Sequence, residues 1–321
     1  MRKRTRRTKQ NEIGRVDCIF TADWHLRLST PSCRTDEDFF SNQISKVDQI
    51  LELSCEYGYC PVVVAGDVGH RPQWENLLLT EVLGLLREYE EVSLCLLPGQ
   101  HDLPYHVLAH WRKGGLGVLD TLLNVLVFHN PGQVRICPGY DLYFFPFGCE
   151  IRPPKVESGN HRRVAIAHTM VYKGRPEWPG QDKQGNTAKN LLKNHPEYDL
   201  IVTGDNHVTF VETYKDRLLV NPGSLLRATA DQANHRPCVF LWDAERNQVM
   251  QKFLKVKKGV IETKRVEREQ KRNERIEAFV ARLGQQEKDV SLSFEDNLKK
   301  YLSENKVPKS VSRKVWNAVE D

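Results

Sequence analysis

Five short motifs along the 321-residue chain carry side chains able to do chemistry: TADWH (Asp23, His25), AGDVGH (Asp67, His70), PGQHD (Gln100, His101, Asp102), AHTM (His168) and TGDNH (Asp205, His207). Together they hold five of the eleven histidines. Each follows an apolar run of strand type, and α/β proteins place their ligands at the carboxyl ends of strands. A single strand-ending Asp or His is ordinarily a cap or loop residue, but packing gives no reason to repeat the pattern five times. Metal chemistry does. Carboxylate oxygens combined with neutral imidazoles suit Mn, Fe or Zn in a five- or six-coordinate site, and two such ions about 3.5–4 Å apart form a clamp for in-line displacement at phosphorus. Side chains i and i+2 share a face of a strand, so the D-x-H spacing is expected to present Asp23 and His25 together. Gly66, Gly99 and Gly204 stand beside these residues and are expected to permit tight turns there.

The elements that must position the motifs are legible in the apolar pattern. Strands are predicted over 16–21, 61–65 and 92–97, with helices over 36–57 and 74–87 between them. In the first helix Phe39, Phe40, Ile44, Val47, Ile50, Leu51 and Leu53 recur at helical spacing. A β-α-β-α-β start implies a mostly parallel sheet covered by helices. Short strands broken by Pro and Gly follow over 119–147, and further strands are predicted over 163–167, 199–203, 209–213, 217–220, 237–242 and 248–253. That number implies two packed sheets with outer helices rather than one open sheet. Beyond residue 258 the composition changes: 263–282 reads as a charged helix with little core surface, followed by amphipathic helices over 294–305 and 309–319 separated by Pro308. The expected organisation is a disordered basic tail (1–10), a catalytic body (11–255) and a basic helical appendage (256–321).

The order of the motifs resembles that of the calcineurin-like metallophosphoesterase superfamily, DxH, GD, GNHD, H and GHxH, over about residues 15–225, including an NPGS segment at 221–224. GDVGH, PGQHDLP and the basic tail are similar to the nuclease branch, the SbcD-like subunits of complexes that process DNA double-strand breaks, phage versions included. The resemblance implies an α/β fold, a four-layer α/β/β/α sandwich of two mixed sheets. It implies one metal held by Asp23, His25, Asp67 and His207, and a second by Asp67, Gln100, His168 and Asp205, with Asp67 shared. His101 matches the catalytic histidine, Asp102 would orient its imidazole, and His70 would position or protonate the scissile phosphate. The activity implied is a phosphodiesterase, a DNA nuclease attacking phosphorus in line with a hydroxide shared by two divalent ions, Mn first, with Mg, Fe and Zn open. Gln100 replaces the family's Asn and Asp205 its first GHxH histidine. The harder carboxylate at 205 favours Mn or Mg over Zn.

Charge is unevenly placed. The net +5 divides into +6 over residues 1–10, −7 over 11–250 and +6 over 251–321. Basic ends suit a polyanion such as DNA, though Lys/Arg runs also occur as solvated tails. With 40% hydrophobic and 28% charged residues, the composition excludes collagen-like and fully disordered chains. Its longest aliphatic stretch, 122–128, falls far short of the ~20 residues a bilayer span needs, so no membrane partner is expected. The polar N-terminus does not read as a secretory signal, and eight cysteines without a CxxC pair suit a reducing compartment: the cytoplasm of a bacterium or phage-infected cell, or the nucleus in a eukaryote. Cys55 and Cys60 read as structural thiols rather than zinc ligands, and His106 and His110, just beyond PGQHDLP, as a solvated surface pair, with a place along the substrate groove as the alternative. In the resembled family the appendage position serves as a DNA-facing cap or docks an SbcC-like coiled-coil ATPase; a homodimer is also open. Two other functions remain: a phosphomonoesterase or phosphodiesterase for small substrates on the same fold, and a non-catalytic structural subunit. The last is disfavoured because every ligand position keeps a side chain able to coordinate.

Overall fold

Alternation of apolar residues decides which side of each strand faces which layer. In β1 (Cys18–Thr21), Cys18 and Phe20 point one way and Ile19 the other; in β2 (Val62–Val64), Val63 opposes Val62 and Val64. Both faces of these strands are apolar, as parallel strands sandwiched between layers require. The computed structural model describes residues 15–154, 161–174, 186–262, 294–305 and 307–320. The predicted tail over 1–10 and helix over 263–282 lie outside the described residues.

The first sheet adds β3 (Leu94–Leu96), β4 (Val125–Val127), β13 (Cys238–Asp243) and β14 (Gln248–Phe253), in the order β14-β13-β1-β2-β3-β4. β1 to β4 run parallel, while β13 and β14 pair antiparallel at the other edge. The second sheet comprises β5 (Gln133–Cys137), β6 (Tyr140–Phe145), β7 (Arg162–His168), β10 (Leu200–Gly204), β11 (Phe210–Tyr214) and β12 (Arg217–Asn221), in the order β11-β12-β10-β7-β6-β5. Its central strands β6, β7, β10 and β12 are parallel and its two edge strands antiparallel. A small parallel pair, β8 (Val171–Tyr172) and β9 (Asn186–Thr187), stands apart.

Helices α1 (Phe39–Glu56) and α2 (Asn76–Glu88) cover the first sheet; α3 (Gly115–Leu119) follows, and α4 (Ala188–Asn194) covers the second sheet. Asp38 caps α1 by accepting the Ser41 N–H at 3.1 Å, and Thr187 caps α4 through the Asn190 N–H, the side chains that helix N-termini favour. Three apolar layers result. The middle one, between the sheets, holds Phe20, Leu142, Phe144, Ile166, Val202, Phe240 and Trp242, each worth about 1.5–3 kcal/mol of transfer free energy when fully buried. The four-layer α/β/β/α sandwich expected from the motifs is the architecture found.

The chain divides into two compact units, Met1–Thr263 and Lys264–Asp321. In the first, the segment after β14 pairs back, with Arg34 bridged to Ile261 and the Glu262 N–H on the Cys33 carbonyl. In the second, the helices α5 (Phe294–Glu304) and α6 (Lys309–Glu320) match the amphipathic segments read on either side of Pro308. All eight cysteines are free, six of them buried, Cys60 among these. No helix among the described residues is long and apolar enough to cross a membrane.

Lys46 on α1 is 6% exposed. Burial, with the charges of Arg34 and Arg227 against a partial offset from Asp36, pulls its pKa down to about 8. Between there and the ordinary lysine value near 10.4 the unfolded chain binds more protons, so this group makes stability rise with pH from about 8 to 10. Lys46→Met is expected to remove that slope and to raise the Tm at pH 7 more than at pH 10. Thermal unfolding of both proteins at both pH values measures it; an equal difference at the two pH values rules it out.

Candidate metal centre

The carboxyl ends of β1, β2, β3, β7 and β10 deliver all ten candidate residues to one edge of the sandwich. Paired strands share that edge directly: Gly204 lies opposite His168 in the β7–β10 register. Beyond the strand ends the backbone turns sharply. Asp23, His25, Asp67 and Asp205 have φ of 50°, 46°, 53° and 84°, a left-handed conformation that costs non-glycine residues about 1–3 kcal/mol each. Neighbouring loops hold it: the Asp23 N–H donates to the Gly66 carbonyl at 3.0 Å, His25 N–H to the Asp67 carbonyl at 2.9 Å and Leu225 N–H to the Asp23 carbonyl at 3.0 Å. Strand alternation therefore does not explain why Asp23 and His25 converge, contrary to expectation. They lie past the end of β1, and the left-handed turns aim them.

Gly66 has φ +95°, the turn expected of it. At Gly99 the requirement is proximity rather than a turn. Its φ is −96°, but a Cβ there would stand 2.2 Å from Asp67 Oδ1.

Asp67 is the hub. Its carboxylate is fully buried; Oδ1 accepts the His101 N–H at 2.9 Å. Oδ2 has no hydrogen-bond partner, and lies 3.4 Å from His168 Nε2 and 3.7 Å from His25 Nε2. His168 Nδ1 donates to the Ala65 carbonyl at 2.7 Å, which turns Nε2 into the site. There it meets Gln100 Oε1 at 2.7 Å, while Gln100 Nε2 donates to Asp205 Oδ1 at 2.6 Å. His25 Nε2 and His207 Nε2 face each other at 3.1 Å, and the Asp205 N–H contacts both Asp23 oxygens at 3.1 and 3.2 Å. Lone-pair atoms thus meet at two points, Gln100 Oε1 with His168 Nε2 and the two facing imidazole nitrogens. Each contact is satisfied by a proton or by a cation between the atoms.

The electrostatics have the same cause. Burial opposes ionisation of Asp67, but His168, His25 and His101 outweigh it and hold the carboxyl at about 2. Burial likewise opposes the His168 imidazolium, yet Asp67, Asp23 and Asp205 raise it to about 10. Asp23 is pushed well up by burial and by Asp67 and Asp205; His25 is pushed well down by burial and by the surrounding imidazoles. Without a metal, His168 thus holds a proton beside the Asp67 carboxylate while His25 is neutral, and divalent cations would replace that proton as the counter-charge to the buried acids. Three donor groups have ligand atoms within 4.8 Å of one another: Asp23–His25–His207, Asp23–Asp67–His168 and His25–His70–His101. The orphaned Oδ2, the crowded acids and the O/N donor set fit a pair of hard or borderline cations.

Around this cluster two expectations are corrected. Asp102 does not orient His101. Its carboxylate accepts three backbone N–H groups, Gly69 at 2.9 Å, Gly99 at 3.0 Å and Val68 at 3.2 Å, and so staples the Asp67 loop to the Gln100 loop. Burial and the Asp67 charge push its carboxyl up to about 7 against those bonds. The His70 carbonyl, 3.0 Å from His101 Nδ1, does the orienting. A carbonyl only accepts, so Nδ1 carries the proton and Nε2 is the remaining ring nitrogen.

Of the two roles expected of His70, to position or to protonate the phosphate, the second is the one its contacts disfavour. Its Nε2 accepts from Arg27 Nη1 at 2.9 Å. Burial, Arg27 and His101 lower it to about 4, and its ring stacks on that of His101 with centroids 5.7 Å apart.

Arg27 is the charged neighbour of this cluster that motif reasoning missed. Half-buried two residues beyond His25, it has its backbone clamped by fully buried Gln43, which accepts the Arg27 N–H at 3.1 Å and donates to its carbonyl at 2.7 Å. Asn221 and Ser224 of the NPGS segment also have defined work. Asn221 donates to the carbonyls of Asn206 and Val208, and the Ser224 N–H donates to the His207 carbonyl, so together they fix the loop carrying Asp205 and His207.

A groove of about 350 Å³ opens beside His70, Gln100 and His101 and runs along Arg71, Tyr105 and His106. His106 is exposed, as its surface reading has it, and also lines the groove, with Nδ1 donating to the Gln100 carbonyl at 3.1 Å. His110 lies outside its lining.

No family model and no curated protein sequence matches the chain. Among solved structures it is similar to an archaeal phosphodiesterase (TM-score 0.40, 11% identity, 74% of this chain and 99% of that one). It is also similar to a phosphopantetheinyl hydrolase from Mycobacterium tuberculosis (0.41, 14%, 66% and 91%) and a dimetal phosphatase from Danio rerio (0.45, 11%, 74% and 98%). What the site can do follows from its own atoms.

Proposed function

We propose that this chain is a two-metal-dependent phosphodiesterase and, more narrowly, a DNA nuclease of the SbcD-like kind that processes strand ends. The observation that carries the first part is Asp67 Oδ2, buried without a partner between His168 Nε2 at 3.4 Å and His25 Nε2 at 3.7 Å. Asp23, His25, Asp67 and His207 would hold one cation and Asp67, Gln100, His168 and Asp205 the other, Mn first by the hardness of the donors. When bound, such ions supply Lewis acidity toward phosphoryl oxygens and a nucleophile at neutral pH.

The remaining side chains have separate work. His101, its Nδ1–H held by the His70 carbonyl, would act as the imidazolium, giving its Nε2 proton to the departing ester oxygen and becoming the neutral ring. Asp102 keeps the His101 loop against the Asp67 loop. Arg27 offers a fixed positive charge to the non-bridging oxygens, and His70, neutral beneath it, keeps the guanidinium in place.

DNA as substrate is supported by the +6 charge at each end of the chain and by a groove lining that holds Arg71 and three histidines but no acidic residue. The same proposal gives the basic segment 256–321 a role as a DNA cap or a dock for a coiled-coil ATPase.

The test is a Mn-dependent assay on end-labelled linear duplex and single-stranded DNA, with metal content measured in parallel. Wild type is expected to degrade DNA. His101→Ala is expected to lose about 10²–10⁴ in rate while keeping its metal. Turnover of a small phosphate ester without any DNA cleavage would replace the nuclease by a small-substrate phosphoesterase.

A further inference from the structure

The groove beside the candidate centre has an unusual wall. Tyr105 is 88% exposed, a large ring held in water in the loop after Gln100–Asp102. Tyr105 and His106 have φ of 58° and 56°, two consecutive non-glycine residues in a conformation that side chains disfavour. The turn is held closed nonetheless. Pro104 is buried and its carbonyl accepts the Val107 N–H at 3.2 Å; the His106 N–H reaches the Leu103 carbonyl at 2.9 Å, and its ring holds the Gln100 carbonyl. The strained loop is thus fastened to a candidate metal ligand, and the Tyr105 ring is what it displays. The nearest aromatic partner of that ring among the described residues is His110, edge-on with centroids 6.4 Å apart, which leaves ring surface uncovered.

The groove that Tyr105 lines begins at His101 and Gln100 and carries the exposed Arg71. Its volume of about 350 Å³ lies at the small end of the ~300–1,000 Å³ range of ligand pockets. An aromatic face and a guanidinium beside a phosphoryl site, with no carboxylate in the lining, match a nucleotide unit: a flat ring to stack and a phosphate to neutralise.

We propose that Tyr105 is a stacking platform for the nucleobase adjacent to the scissile phosphate of a single-stranded DNA end, with Arg71 facing that unit's backbone. This rests on the nuclease reading and deepens it. Stacking tolerates every base, so the platform would position a strand without reading its sequence.

Fluorescence of nuclease-resistant phosphorothioate oligonucleotides, carrying 2-aminopurine at successive positions from the end, tests it on the full-length protein with Mn. Wild type is expected to quench one position selectively. Tyr105→Phe should keep the quench, while Tyr105→Ala should lose it and bind about tenfold more weakly. An abasic residue at that position should weaken wild type to the same degree and add nothing to the loss in Tyr105→Ala, as expected when both changes remove one interaction. If wild type binds and cleaves DNA but Tyr105→Ala binds and quenches as it does, the platform is wrong and the nuclease stands. If wild type neither binds nor cleaves oligonucleotides while hydrolysing a small phosphate ester, both fall together.

Discussion

Asp67→Asn is expected to reduce bound metal from two ions per chain to one or none and to lower phosphodiesterase activity by about 10³-fold or more. The substitution keeps the size of the side chain and the acceptor for the His101 N–H, so the loop that carries His101 stays anchored. What changes is the other oxygen. Oδ2, with no partner of its own, becomes an amide that donates protons toward His25 Nε2 and His168 Nε2, the atoms a cation needs. One negative charge also leaves a site where burial already works against every ion. Metal analysis of the purified variant, beside initial rates on a phosphodiester, separates a lost metal from a lost catalytic group. Two ions retained per chain, with a rate within about tenfold of wild type, would mean that Asp67 is not the shared ligand.

Much of this centre was legible before any coordinates, and the reason is topological. Each motif follows an apolar run, parallel strands put their carboxyl ends on one edge, and residues as distant as Asp23 and His207 therefore meet. The β-strands around the motifs were equally readable, because both of their faces are buried and the apolar run is continuous. β5 is legible only as one of the short strands expected over 119–147: Val134 and Ile136 share a face, but the strand is five residues long at a sheet edge with Ile136 exposed, too little pattern to fix its bounds.

Inside the centre, the pattern named the residues but not all of their partners. Asp102 follows His101 directly, which suggested a side-chain pair. Its oxygens are taken instead by backbone N–H groups, and backbone donors carry no signature in residue identity. Arg27 escaped for a related reason. Its place beside the cluster is set by His70, 43 residues on, and by the clamp of Gln43. The left-handed turns at Asp23, His25, Asp67 and Asp205 leave only a weak mark in the sequence, since Asp and His are enriched in that conformation but far less tied to it than glycine.

The glycines around the centre give the second large effect. Gly66→Ala is expected to destabilise the protein by about 2–4 kcal/mol, or about 5–15 °C in Tm at the 2–4 °C per kcal/mol of a domain this size. Two causes act together. Gly66 has φ +95°, and a Cβ built there would lie 2.0 Å from His168 Nδ1 and 2.4 Å from its Cγ. His168 cannot retreat, because the ring is buried at 1% exposure and Nδ1 is bonded to the Ala65 carbonyl. Either the imidazole leaves its place among the candidate ligands or the Asp67 loop moves away, and both open the centre. Gly139→Ala isolates the steric part. Gly139 has a similar φ of +86°, but nothing lies within 4 Å of its would-be Cβ, so only the conformational cost of about 1 kcal/mol applies. Thermal unfolding of the two variants compares them directly. If Gly66→Ala costs no more than Gly139→Ala, the close approach of His168 to the β2 turn is not what holds the ring, and the carbonyl of Ala65 must hold it alone.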